Sequence, residues 1–177
     1  MQGIYYIFYF ALIFILSNCG YTTKVSTMYK QDRIFIIPAK NQIDITSENR
    51  RYSNYRVFPV FLEKKLTNAI ISRFNTDGYF KVVDNKESAL RLETNILDYK
   101  NEALRYTDSD EVEEQRLRLT VQIKLIDPEG KVLQEKNIVG DTSFFLIGPQ
   151  KKSTNAAEEE LIEDVARRIS EAVAEEW

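Results

Sequence analysis

Near the middle of the chain the stretch RLRLTVQIKLI, Arg116 to Ile126, alternates without a fault. Leu117, Leu119, Val121, Ile123 and Leu125 fall on one side, and Arg116, Arg118, Thr120, Gln122 and Lys124 on the other. Such a period of two is that of a strand with one face in a core and one in water. A slip of one residue would turn every aliphatic side chain outward, so this strand fixes the register of whatever pairs with it. DPEGK follows, with Pro128 and Gly130 suited to a turn, and a second strand from Val132 to about Ser143 is expected to return antiparallel. Upstream, LRLETNI sets Leu90, Leu92, Thr94 and Ile96 against Arg91, Glu93 and Asn95 in the same pattern. Two shorter runs, RIFIIP (33–38) and YFKVVD (79–84), suit brief strands.

Two helical stripes supply cover for the apolar face. One begins near Pro59 and repeats Leu62, Leu66, Ile70 and Phe74, with Phe61, Ala69 and Ile71 widening the stripe. It should stop at Gly78, a residue free to take the left-handed C-terminal cap. The other carries Leu161, Val165, Ile169, Val173 and Trp177 at strict spacing of four, with Asn155 as its expected N-cap and Glu158 to Glu160 near its positive end. Together the elements predict an α+β two-layer sandwich, with both helices on one face of a mainly antiparallel sheet of four or five strands. The polar, aperiodic stretch 39–55 reads as a surface loop.

The amino terminus reads as an export signal. Ile4 to Leu16 form thirteen apolar or aromatic residues without a charge. As a helix they would measure about 20 Å, short of the ~30 Å hydrocarbon core a permanent span must cross. L-S-N-C follows and places the only cysteine, Cys19, where a bacterial lipobox has its acylated residue, although Asn stands where Gly or Ala is usual and MQG lacks Lys and Arg. A buried free thiol is the alternative fate of a lone cysteine. The expected division is a leader over 1–18, a lipid-bearing tether over 19–31 and a single domain over 32–177.

Composition excludes several kinds of chemistry. With no histidine and one cysteine, neither a Ser-His or Cys-His nucleophile pair nor a His-containing metal site can be built. The 24 Lys plus Arg against 27 Asp plus Glu lack the basic excess of a general nucleic-acid binder. The densest acidic cluster, Asp108, Asp110, Glu111, Glu113 and Glu114, reads as a solvated turn. Read as an EF-hand loop from Asp108 it would place Glu113 and Leu119 where glycine and glutamate are needed. No metal, catalytic residue or cofactor is therefore expected. Arg116, Arg118 and Lys124 form either an ordinary open sheet face of snorkelling side chains or a basic one, with Arg105 and the pair Lys151 and Lys152 in loops that would flank the same sheet edge or tip. Beside those lysines, TSFFLIG (142–148) either caps the core or forms an apolar site that suits an anionic amphiphile.

Taken in order, CGY at the lipobox, IFIIP, DGYFKVVD, LETNILDY, EEQRLRLTVQIKLID and an acidic-start terminal helix resemble the LptE family of lipopolysaccharide-assembly lipoproteins. The resemblance implies a lipid anchor on Cys19 in the inner leaflet of the outer membrane and a partner barrel of the LptD type. In that family the lipoprotein plugs the barrel, assists its assembly and binds lipopolysaccharide, with no covalent chemistry. The family's lipid-binding positions fall on Arg105 and on Lys151 or Lys152. The residues leave open another periplasmic lipoprotein of similar fold, such as an activator of peptidoglycan synthesis or a curli-exporter-like component. A hydrolase working with carboxylates alone has no spaced acidic motif to support it.

Overall fold

The computed structural model describes residues 32–43 and 59–175. The expected leader, Cys19, the expected tether, positions 44–55 of the polar stretch and Trp177 lie outside those residues. Six strands and two helices follow in the order β1 (Arg33–Ile36), β2 (Lys40–Asn41), α1 (Leu62–Asp77), β3 (Lys81–Val82), β4 (Leu90–Tyr106), β5 (Val112–Ile126), β6 (Val132–Phe145) and α2 (Thr154–Ala174). No described helix is long and apolar enough to cross a membrane.

The alternating strand is the centre of the fold. Leu117, Leu119, Val121, Ile123 and Leu125 are all wholly buried. β5 pairs antiparallel with β4 on one side and β6 on the other, so three long strands form a meander. The expected antiparallel sheet of four or five strands needs correcting, because the sheet has six strands and mixed orientation, in the order β3-β1-β4-β5-β6 with β2 also on β4. β1 and β3 are parallel neighbours and β1 is parallel to β4. The cause is α1, which carries the chain back along the sheet between β1 and β3, as a crossover between parallel strands requires. β1 and β2 run along the same edge of β4, interrupted at Pro38, which has no N–H to give a ladder. There Ala39 N–H donates instead to Thr67 Oγ1 of α1, at 2.9 Å.

Local signals explain most element ends. Gly78 takes φ 69° and its N–H reaches the Phe74 carbonyl, closing α1 as expected. The start of α1 differs from expectation: the helix begins at Leu62, and Phe61, expected on the buried stripe, is left-handed and 71% exposed. Leu62, Leu66, Ile70 and Phe74 are buried. α2 is capped by Ser153, whose hydroxyl accepts from Ala156 N–H, and not by Asn155. β4 runs ten residues past the expected Ile96, through a register shift between Ile96 and Asp98, and β6 runs on to Phe145. Of YFKVVD only Lys81 and Val82 pair.

Both helices share one core with the aliphatic face of the sheet. Ser170, wholly buried on α2, donates to Asp77 at the end of α1 at 2.6 Å, and Arg73 holds the same carboxylate at 2.9 Å. Glu158 of α2 is only 7% exposed, with Lys65 of α1 at 4.0 Å. Burial raises its carboxyl above the usual range, and Lys65 only partly offsets this. Burial, and then Glu158, raises the Tyr99 hydroxyl as well.

α2 lies unusually close to β6 at Gly140. A β-carbon there would come 2.5 Å from Val165 Cγ2 and 3.0 Å from Asp164 Oδ2. Gly140→Ala should therefore cost about 1–3 kcal/mol in urea unfolding through overpacking. Combined with Val165→Ala it should cost less than the two changes added, because they share one contact. Glu158 carries a pH prediction. Its folded-state pKa is raised, so the fold binds the proton more tightly than the unfolded chain and loses stability as pH rises from the ordinary carboxylate range through the raised value. Glu158→Gln should raise the melting temperature at pH ~7 and leave it unchanged below pH ~4. A lower melting temperature for the variant at neutral pH would instead make the Lys65 ion pair the dominant contribution.

Candidate functional site

The sheet has two unlike ends. At the entry end the chain enters β1, with Ile34 paired to Leu90, and the β5–β6 turn at 127–131 sits beside it. At the other end β4 and β5 form a hairpin. β4 has 17 residues, roughly 55 Å at strand rise, whereas the 21 residues of α2 reach about 31 Å. The helix spans from Thr142, within 3.5 Å of Glu160, back to Gln134, whose side-chain amide donates to the Ala172 carbonyl at 3.0 Å. The helix begins further out, at Thr154, and Phe144, paired with Gln115, is still buried; beyond that pair the hairpin outruns the cover, and Ala103 to Tyr106 are exposed.

Arg105 lies on β4 and not in a loop as the sequence led us to expect. Cross-strand register lines up Arg105, Glu114 and Phe145 on the sheet face opposite the helices. The Arg105 guanidinium stands 5.8 Å from the centre of the Phe145 ring and 3.6 Å from Glu114 Oε2. A cation over an aromatic face is held by the ring's quadrupole and keeps its outward N–H donors.

Phe145 also joins Arg105 to the lysine pair. Its carbonyl accepts from Lys152 N–H at 2.8 Å, and Lys151 bridges to Phe145 through its backbone. The side chains diverge, however. Lys152 Nζ turns to Glu160 of α2 at 2.5 Å, on the helix side, while Arg105 stands on the open side. Lys151 is exposed. The two readings of TSFFLIG both apply to part of it: Phe144 is buried and Leu146 packs on the core, whereas Ile147 is 39% exposed. Leu104 and Tyr106 add exposed apolar surface to the same end at 39% and 57%. Sequence reading passed over these two and read Glu114 as part of the solvated acidic turn, whereas it lies on β5.

The acidic turn is closed by its own hydrogen bonds. Thr107 N–H donates to the Glu111 carbonyl, Asp110 N–H to the Thr107 carbonyl, and Glu111 N–H to Thr107 Oγ1. Among the described residues no three Asp, Glu or Cys groups come together in a way that could hold a metal ion.

The basic sheet face is not basic once its neighbours are in place. Lys124 lies between Glu93 and Glu135, with Nζ 3.2 Å from Glu135. Arg118 lies between Lys100 and Asp141, and Arg116 between Glu102 and Ser143 with Asp141 at 4.0 Å. The open face is a ladder of mixed charge, in which each exposed pair contributes at most about 1 kcal/mol. Such a wall suits contact with a polar surface.

Among curated proteins none matches this sequence significantly. Several solved structures align over most of the chain. A minor lipoprotein of Acinetobacter baumannii is 14% identical with a TM-score of 0.49, covering 81% of this chain and 92% of that one. Rare lipoprotein B of Shewanella oneidensis is 16% identical with a TM-score of 0.46, covering 80% and 93%. A protein described only as uncharacterized is 10% identical with a TM-score of 0.50, covering 84% and 95%. Of these only the last, at 0.50, bears on the fold, and none bears on function. The decisive match is to the sequence model described as LptE, lipopolysaccharide-assembly, which spans residues 41–175. That span takes in both helices and every long strand, and on it the chain belongs to the LptE family of lipopolysaccharide-assembly proteins.

Proposed function

We propose that this protein is an outer-membrane lipoprotein, acylated on Cys19, that seats in an LptD-type barrel, assists its assembly and binds lipopolysaccharide on its way to the outer leaflet. The work is binding without covalent chemistry and without a cofactor. The observation that carries this reading is the hairpin tip that outruns the helices, where Arg105 stands on Phe145 beside exposed Leu104, Tyr106 and Ile147. Cations beside apolar side chains match the two chemistries of lipopolysaccharide, phosphates and acidic sugars on one part and acyl chains on the other. The charge-balanced open face supports the same reading, because the interior of an outer-membrane barrel is polar. Family membership supports a partner in the lipopolysaccharide-transport machinery, and β1, which follows the proposed tether in sequence, begins at the end of the sheet opposite the tip.

Arg105 contributes more to this site than Lys152, whose ammonium is already paired with Glu160. Lys151 has the exposure to reach a ligand.

Tagged protein recovered from detergent-solubilised outer membranes should bring down one large barrel protein in near-equal amount, and recovery of none would contradict the proposal. Arg105→Glu with Lys151→Glu should weaken lipopolysaccharide binding by roughly tenfold or more, since each reversal removes a charge-assisted contact. The same double variant should unfold within about 2 kcal/mol of the parent, since the contact with Phe145 and the exposed pair with Glu114 contribute at most about 1 kcal/mol each. Unchanged lipopolysaccharide binding would remove the tip cations from the site.

A further inference from the structure

β6 ends the strand order of the sheet, so one side of it meets no other strand among the described residues. Leu146 N–H donates to the Glu113 carbonyl of β5, whereas the Phe145 carbonyl faces the other way and accepts from Lys152 N–H. Backbone groups alternate in direction along an antiparallel strand, and the β5–β6 register is unbroken from Gln134 to Phe145. Glu135, Asn137, Val139, Asp141 and Ser143 therefore turn their N–H and C=O groups outward. An open row of that length is a template for a further strand, including the same strand of a second copy. The opposite edge presents no such row, because β1, β2 and β3 are only four, two and two residues long.

Both ends of the β6 row are closed by the chain itself. Lys152 caps the Phe145 carbonyl at the tip, and at the entry end the register skips Leu133, between the Leu125–Gln134 and Ile126–Val132 pairs. Such a shift bends an edge away from flat pairing. Between these ends β6 has no proline to interrupt a partner strand, but it has Lys136. That side chain is on the helix side of the sheet, opposite wholly buried Ile123, yet it is exposed. From Gln134 to Phe144 it is the only charge on that side of β6, and it enters no ion pair among the described residues. α2 offers it no free anion. Asp164 lies over Gly140 and Ala172 meets Gln134, so the turn of α2 above Lys136 is the one that carries Arg167 and Arg168, and both already hold Asp164. On an edge strand beneath a helix, the way to water for that ammonium runs past the edge.

We propose that Lys136 is a guard that keeps the β6 edge from adding a strand of a second copy. A strand laid along Glu135 to Ser143 would close the ammonium's way to water and leave it without an anion beneath two arginines. A charge that loses its hydration and gains no partner opposes whatever the new backbone hydrogen bonds return. Glu135 and Asp141 cannot act in this way, because they stand on the open side, where no helix covers them and water still reaches them after pairing. The guard works on the flank of the sheet, away from the hairpin tip, and holds whether or not the tip enters a barrel.

The test compares the full protein with its Lys136→Met and Lys136→Arg variants, each purified in a neutral detergent, by sedimentation velocity over a concentration series and by urea unfolding at the lowest concentration. Lys136→Met keeps the length of the side chain and removes its charge. It should raise the self-association constant roughly tenfold or more, while the parent and Lys136→Arg stay monomeric. Adding Val139→Pro to Lys136→Met should restore the monomer, because the Val139 N–H faces outward and its loss leaves the β5 ladder intact. At the lowest concentration Lys136→Met should unfold at the same urea midpoint as the parent. A Lys136→Met protein as monomeric as the parent, association that Val139→Pro does not reverse, association accompanied by a lower midpoint, or a parent that itself pairs through this edge would overturn the proposal.

Discussion

Burial of one face of β5 is the constraint from which the rest follows. Five side chains there, Leu117 through Leu125 in alternation, are wholly excluded from water. At roughly 1.5–3 kcal/mol for each buried aliphatic side chain, they contribute on the order of 10 kcal/mol. That is comparable to the whole net stability of a typical domain, about 5–15 kcal/mol. Nothing else among the described residues has that leverage over register. Once the aliphatic face is inward, Arg116, Arg118 and Lys124 must face outward, and the carboxylates of β4 and β6 must meet them. The closeness of α2 follows as well, since Gly140, opposite Leu119, gives Val165 room to descend onto this face.

The same constraint separates the two ends. The helices cover the sheet only as far as its aliphatic side chains need cover, and the hairpin beyond them is free to carry other side chains. Arg105, Glu114 and Phe145 form one cross-strand row there, while Lys152 is drawn to the helix side by Glu160. On the proposed function, a protein tethered by its amino terminus and working at the far end of long strands reaches into a neighbour without its core taking part. Charge on the open face is distributed to match, mixed and locally paired along the strands with apolar exposure concentrated at the tip.

How far the sequence revealed this depended on whether a signal was periodic. β5 and both helical stripes were legible because their spacing is regular and their faces are buried. The mixed orientation of the sheet was not, because RIFIIP and YFKVVD are too short to declare their partners and only α1 dictates the parallel return. The outer half of β4 was hidden by register shifts at Ile96/Asp98 and Ala103/Arg105, each of which breaks the alternation. Those shifts also concealed that Arg105 would stand on Phe145, although the turn residues of TDSD, between Tyr106 and Val112, were a usable sign that both flanking segments pair up to the turn. Ser153, Thr154 and Asn155 are three consecutive cap-competent residues, and only the hydrogen bond to Ala156 N–H chooses among them.

The proposed function requires the tip of the sandwich, and not its entry end, to enter a barrel. A photo-activated benzoylphenylalanine placed at Tyr106 on the tip, and separately at exposed Val132 on the entry end, would be irradiated in intact cells carrying the full-length protein. The account predicts a strong adduct to one large outer-membrane barrel from position 106 and little or none from position 132. A barrel adduct confined to position 132, or none from either end, would contradict it.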